Sequence, residues 1–399
     1  MIPYGRQSIS ESDIQAVVEA LRSDFLTSGP RVDEFENAFA EFIGARHAVA
    51  VTNATAALHL AMLAGNVGPG DRVITSPNTF LSSANCAAFV GATPDFCDIE
   101  PGTYTMDAGS LVEAWQDDVK AVVPVAFGGQ SADMPAIAEI ARERGALIVE
   151  DASHGTGGGF FHGGKSWKQG GHPWADMTVF SFHPVKTLTT GEGGILATND
   201  DSLAARARSM RSHGMTRAPG DFVGLVSGVD STPGLEEKGP WYYEMQELGH
   251  NFRITDLQCA LGLSQLKRLP EFMERRRTIV GEYNRAFADL PWLATPKVRD
   301  PRDVAEVSWH LYTVQINFTE LGLTRTEVMQ TLRAQGIGTQ VLYIPVHLQP
   351  WYREHYGYRA GKCPAAEAYY TRALSLPLYP SMADVDVQSV IAAVRGLGG

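Results

Sequence analysis

Short apolar runs alternate with helix-length segments through the first half of the chain, and this alternation limits the fold more than any other feature. The runs 48–51, 72–75, 93–98, 121–125 and 146–150 read as short buried strands, while 53–63, 82–90 and 134–144 read as helices. Parallel neighbours need a crossover of a dozen or more residues, which such helices supply. The predicted fold class is therefore α/β, with a large, mostly parallel sheet covered on both faces.

Two helices precede this region. Residues 10–22 begin with Ser10 and Asp13 in a capping-box-like arrangement and place Ile14, Val17, Val18 and Leu21 on one face. Residues 32–43 form the second, ended by Gly44. Further on, the glycine-rich run 155–171 reads as a turn-rich hairpin, 177–182 and 194–198 as buried strands, and 203–211 as a helix. Residues 213–247 are polar and aperiodic and include Pro219, Pro233 and Pro240. A loop of that length in a compact domain is usually functional or disordered. A helix at 257–266 resumes after Pro270 as 271–290, and composition changes beyond Pro291. Strands at 310–317 and 340–345 with helices at 325–335 and 385–394 make a smaller α+β unit. The expected division is residues 1–266 and 267–399, with the long helix as linker.

A net charge of −12 and a pI near 5.4 argue against a nucleic-acid-binding surface, while leaving room for a local basic pocket. Cys86, Cys97, Cys259 and Cys363 are scattered with no CxxC spacing, so neither a metal site nor a disulfide framework is signalled. The N-terminus lacks a basic-then-apolar signal pattern, and no apolar run approaches the roughly 20 residues of a bilayer span. The expectation is a soluble cytoplasmic protein with no membrane or nucleic-acid partner.

Chemistry concentrates between the strands 177–182 and 194–198. There Lys186 follows Ser181 by five residues and is followed by three threonines and several glycines. A lysine in such a place is as readily an accident of a surface turn. Small side chains and free backbone N–H groups around a primary amine also suit a desolvated nucleophile beside an anion-binding cradle, as pyridoxal phosphate (PLP) requires. The Asn53–Thr55 turn opens a helix after a strand, which serves equally as an ordinary N-cap or as a phosphate seat. Asp151 lies just past the carboxyl end of a buried strand, where it either caps a turn or pairs with a cationic ring nitrogen. A nicotinamide dehydrogenase is disfavoured, because no glycine fingerprint follows a strand.

Taken together, Asn53-Ala-Thr55, Glu150-Asp-Ala-Ser-His154, Ser181-Phe-His-Pro-Val-Lys186, Thr190-Gly-Glu-Gly-Gly194 and His250-Asn-Phe-Arg-Ile-Thr-Asp256 resemble the motifs of DegT/StrS-type sugar-nucleotide aminotransferases. These are fold-type-I PLP enzymes of the aspartate aminotransferase kind. The resemblance spans nearly the whole chain. Within the family it is strongest to transaminases of pseudaminic acid biosynthesis, which act on a UDP-linked 4-keto-6-deoxy-N-acetylhexosamine. Enzymes that aminate UDP-4-keto-arabinose come second.

The resemblance implies that Lys186 bonds to the cofactor and moves protons, Asp151 pairs with the ring nitrogen, and His154 lies near the phenolic oxygen. It implies that Phe80 stacks on the ring and that Ala54, Thr55 and Ser181 hold the phosphate, with Asn251 reaching in from a second subunit of a homodimer. Tyr4, the turn Asp24, Phe25, Leu26, Thr27 and the segment Leu342, Tyr343, Ile344, Pro345 match segments that line the sugar-nucleotide pocket. L-glutamate is the implied donor, and pyridoxamine phosphate (PMP) the intermediate form of the cofactor. Sugar dehydratases of this fold resemble the chain too, but carry histidine at the lysine position.

Overall fold

The computed structural model describes residues 1–224 and 239–398. Part of the 213–247 loop thus lies outside the described residues; what is described of it includes a short pairing of Met215–Thr216 with Glu244–Met245.

The large sheet has seven strands. From one edge they run His47–Val51, Gly194–Thr198, Met177–Ser181, Leu147–Asp151, Val119–Val123, Arg72–Thr75 and Thr93–Phe96. Gly194–Thr198 runs antiparallel to both its neighbours, and the remaining pairs are parallel. The exception follows from chain length and content. The stretch joining Ser181 to Gly194 carries Lys186 and contains no helix, so the chain must return as an antiparallel partner. One edge of the sheet therefore gathers the carboxyl ends of Val51, Thr75, Val123, Asp151 and Ser181 together with the start of Gly194. That is the edge at which open α/β sheets bind ligands. The glycine-rich run forms the expected hairpin, Gly159–His162 with Lys165–Lys168.

The first helix, Glu11–Leu21, is capped by Ser10 and Asp13 as expected, but it turns a different face inward. Asp13 and Ala20 are buried, whereas Ile14 and Leu21 are 48% and 56% exposed. The cause is polar. The Asp13 carboxylate accepts hydrogen bonds from Ser264 at 2.6 Å, Gln265 at 2.8 Å and Arg268 at 2.9 Å on the long helix. A buried carboxylate must be satisfied, and meeting three donors fixes the helix rotation.

The long helix runs unbroken from Asp256 to Phe287 through Pro270, where the sequence suggested two segments. Leu266, Leu269, Phe272 and Met273 are buried on either side of the proline, and that continuous apolar seam holds the helix together across it. It also crosses 266–267, the expected boundary between units. Its residues up to Met273 join a core shared with Phe35, Phe39, Phe180 and Phe182, and those from Ile279 onward join Tyr312, Val314 and Leu376.

The C-terminal sheet consists of Leu293–Ala294, Tyr312–Ile316 and Ala373–Leu376. Residues 340–345, expected as a strand, touch it only through a bridge from Gln340 to Ser375. Their backbone is drawn elsewhere: Tyr369 donates its hydroxyl to the Leu342 carbonyl at 2.9 Å, and Val346 N donates to Pro77 O at 3.0 Å. The segment leaves the ladder to cover the sheet edge. Among the described residues no helix is long and apolar enough to cross a membrane.

Candidate active site

A cavity of about 480 Å³ opens at the carboxyl edge of the large sheet. Its floor and one wall come from turns that follow the strands. Asn53 caps the helix Ala54–Ala64 by accepting from Ala56 N at 2.9 Å, so the first-turn N–H groups of Ala54 and Thr55 have no partner within the helix. Gly194 makes that approach possible. A Cβ there would lie 2.6 Å from the Asn53 carbonyl carbon and 2.7 Å from Ala54 N, so only glycine brings strand and helix start this close. Ser181 faces the same space, and Thr55 Oγ1 lies 2.7 Å from Ser82 Oγ. Free N–H groups, hydroxyls and a helix N-terminus make an anion seat.

Asp151 also lines the cavity, buried at the last position of its strand. Its Oδ2 accepts from Ser83 Oγ at 2.6 Å and its Oδ1 from Ser153 N at 3.0 Å. Lys186 lines the same cavity. Burial of its amine pushes its pKa down to about 8, against an opposing pull from Asp151. An amine of this kind is partly neutral near physiological pH, as a nucleophile and proton carrier must be.

His154 has both ring nitrogens engaged. Nδ1 accepts from Gly128 N at 3.3 Å, which leaves Nε2 to carry the proton and donate to the Tyr343 hydroxyl at 3.2 Å. Burial, and then the nearby Lys186, hold the imidazole well below its ordinary pKa, so it stays neutral. Burial also pushes the Tyr343 phenol up. Phe80 is 56% exposed and leans over the mouth, its ring centroid 6.2 Å from that of Tyr343.

Tyr4, Ala54, Thr55, Phe80, Asp151, His154, Ser181, Lys186, Leu342 and Tyr343 all line this cavity. The other expected residues do not. Leu26 accepts from Asp256 N at 3.0 Å and Thr27 bridges to Thr255, which places the turn Asp24–Thr27 at the start of the long helix. Asn251 is exposed and its backbone bridges to Ser212. Ile344 is 46% exposed, and Pro345 likewise lies outside the lining. Thr79, Ser82, Ser83, Val125, Gly128 and Ser153 take part unforeseen. Thr79, Val125 and Ser153 follow strands that end at this edge, a position that could have flagged them. Ser83 gives no such signal, since it is buried inside a helix.

The donor set fits PLP: an anion seat at a helix start, a carboxylate for a protonated ring nitrogen, and a partly neutral amine, all lining one cavity. Residues 7–395 match the DegT/DnrJ/EryC1/StrS aminotransferase family. The chain belongs to that family. It is 45% identical to the spore coat polysaccharide biosynthesis protein SpsC of Bacillus subtilis, over 99% of this chain and 97% of SpsC. Among solved structures, Helicobacter pylori PseC, an aminotransferase of pseudaminic acid biosynthesis, matches with a TM-score of 0.86 at 29% identity, covering 99% of this chain and 98% of PseC. Spr1654 of Streptococcus pneumoniae in its PLP form matches with a TM-score of 0.86 at 27% identity over 100% of this chain and 98% of its own, and it is also solved in a PMP form. The chain has the fold-type-I architecture and is a PLP-dependent sugar aminotransferase.

Proposed function

We propose that the enzyme transfers an amino group from L-glutamate to the 4-keto carbon of a UDP-linked 4-keto-6-deoxy-N-acetylhexosamine. The observation that carries this reading is full-length similarity to PseC together with the Lys186 cavity. PLP, when bound, supplies an electron sink that stabilises negative charge on the carbon losing or gaining a proton.

The chain supplies the rest. Ala54, Thr55 and Ser181 seat the phosphate at the helix start. Asp151 keeps the ring nitrogen protonated. Lys186 would hold the cofactor covalently, and its Nζ would take a proton from the α-carbon of glutamate and return one in the second half of the cycle. A pKa of about 8 suits both directions, because neither protonation state is strongly favoured near neutrality. His154, neutral and oriented by Gly128, presents an N–H that Tyr343 now accepts and that a phenolate oxygen can accept instead. Phe80 would cover the cofactor ring from the cavity wall, and Tyr4, Leu342 and Tyr343 would border the entry for the sugar nucleotide.

A second reading is a different nucleotide-linked keto sugar such as UDP-4-keto-arabinose; what speaks for a different sugar is that identity is higher to SpsC, whose name concerns spore coat polysaccharide, than to PseC. One experiment separates the two: incubation with glutamate and a panel of UDP-4-keto sugars, with products read by mass. Amination of the 6-deoxy-N-acetylhexosamine at least about tenfold faster than of the pentose, ~1.4 kcal/mol in barrier, is the expected result. The reverse order overturns the first reading.

The same proposal includes a homodimer in which Asn251 of one protomer completes the phosphate seat of the other. Support comes from exposure: Asn251 lies outside its own chain's cavity, and Phe25 and Leu26 are 52% and 49% exposed. Mixing Lys186→Ala with Asn251→Ala chains under conditions of subunit exchange should restore activity at limiting PLP, since one site per heterodimer then has both residues. Absence of recovery despite proven exchange would remove Asn251 from the shared site.

A further inference from the structure

Behind Asp151 stand two hydroxyls that the mechanism leaves unused. Ser83 is fully buried on the helix Ser82–Phe89, and Thr79 is buried in the turn before it while also lining the cavity. Ser83 Oγ lies 2.6 Å from Asp151 Oδ2, and Thr79 Oγ1 lies 2.7 Å from Ser83 Oγ. An ionised carboxylate only accepts, so Ser83 donates to Asp151 and its oxygen is free to accept from Thr79. A helical serine commonly bonds back to its own backbone. Here the backward contact, to Phe80 O, is a long 3.5 Å, and the short bond points out to the carboxylate. With Ser153 N on Oδ1, donors from two separate elements hold both carboxylate oxygens.

We infer that Ser83, backed by Thr79, is a positioning residue for Asp151, fixing the plane of the carboxylate so that its remaining lone pairs face the cavity. The inference rests on Asp151 being the partner of the cofactor's ring nitrogen. A carboxylate at the end of a strand can otherwise swing about its side-chain torsions. A charge-assisted bond from a rigid helix removes that freedom before the cofactor arrives. The neighbouring Ser82 meets Thr55, so one short helix touches both the anion seat and Asp151.

The test is a double-mutant cycle read in the PLP dissociation constant of the apo-protein and in the visible spectrum of the loaded enzyme. Ser83→Ala should weaken PLP binding about tenfold in the wild-type background, the scale of one hydrogen bond to a charged group. It should also change the cofactor's absorption spectrum. In an Asp151→Asn background the same substitution should change binding by less than about threefold, because the group it positions is gone. Ser83→Cys leaves no void and replaces the hydroxyl by a bulkier, weaker donor, so it should reproduce the loss of affinity even if the alanine variant folds poorly. Equal losses in both backgrounds, or no loss in either, would assign Ser83 to packing and overturn the inference. If Asp151→Asn alone binds PLP and turns over as wild type, the reading of Asp151 fails, and the role of Ser83 fails with it. A damaged Asp151→Asn beside an unaffected Ser83→Cys defeats the Ser83 inference alone.

Discussion

Replacing Lys186 with alanine should abolish turnover, by at least about 10⁴-fold, and leave a folded protein that still takes up PLP without a covalent bond. The loss is large because one side chain both carries the cofactor and moves the proton, and general acid–base catalysis alone is worth about 10²–10⁴-fold. Folding should survive. In the apo-protein, burial lowers the Lys186 pKa from 10.5 to about 8. Below that value the folded state must protonate an amine it holds in a poorly solvated cavity, and the penalty disappears as pH rises from about 8 towards 10.5. Removing the amine removes the penalty, so at pH 7 apo Lys186→Ala should melt no lower than the wild type. The assignment is checked by borohydride reduction of the wild-type holoenzyme and peptide mapping. The pyridoxyl label should fall on Lys186. A label on Lys165, which lies 3.4 Å over the Trp167 ring, or on Lys168 or Lys267, would overturn it.

The position of this amine was legible in the chain because two short strands frame it and nothing between them can form a helix. The same logic made the sheet edge legible: Arg72–Thr75 and Gly194–Thr198 were bounded correctly by their apolar runs, and the strand expected to end just before Asp151 takes in Asp151 as its last residue, with His154 in the turn after it. The first helix shows where pattern reading stops. Its apolar stripe suggested burial of Ile14 and Leu21, but the helix turns on Asp13, whose partners Ser264, Gln265 and Arg268 lie some 250 positions away. Segment 340–345 has strand-like residues, yet Tyr369 binds its Leu342 carbonyl and Pro77 binds the next residue, Val346, and periodicity carries no information about such distant partners. Ser83 is hidden for the same reason. A serine inside a helix has no local mark of what it meets, and only the fold brings it to Asp151. Asn251, which the resemblance assigned to the site of a second subunit, and the turn Asp24–Thr27 both stand apart from the cavity of their own chain.

Asp151→Asn should retain PLP and lose at least about 10²-fold in kcat, ~2.7 kcal/mol of barrier. The amide is nearly isosteric, so the anion seat at Ala54 and Thr55 and the amine of Lys186 are left in place. What changes is charge and the direction of hydrogen bonding. Asp151 now offers acceptors alone, and both of its oxygens already meet donors, Ser83 Oγ at 2.6 Å and Ser153 N at 3.0 Å. In the asparagine variant the oxygen must stay on Ser153 N, which directs the NH₂ group towards Ser83; the hydroxyl can rotate to accept from it, so the fold tolerates the exchange. The amide still lacks the negative charge that keeps a proton on the ring nitrogen, and without that proton the ring withdraws electrons poorly from the reacting carbon. The effect should appear in both half-reactions, glutamate deamination and sugar amination, because proton removal and return each depend on it. Single-turnover rates with each substrate would show this. A kcat within about tenfold of wild type, ~1.4 kcal/mol, would make the carboxylate a structural cap of its strand. A loss confined to one half-reaction would place it on a substrate and not on the cofactor.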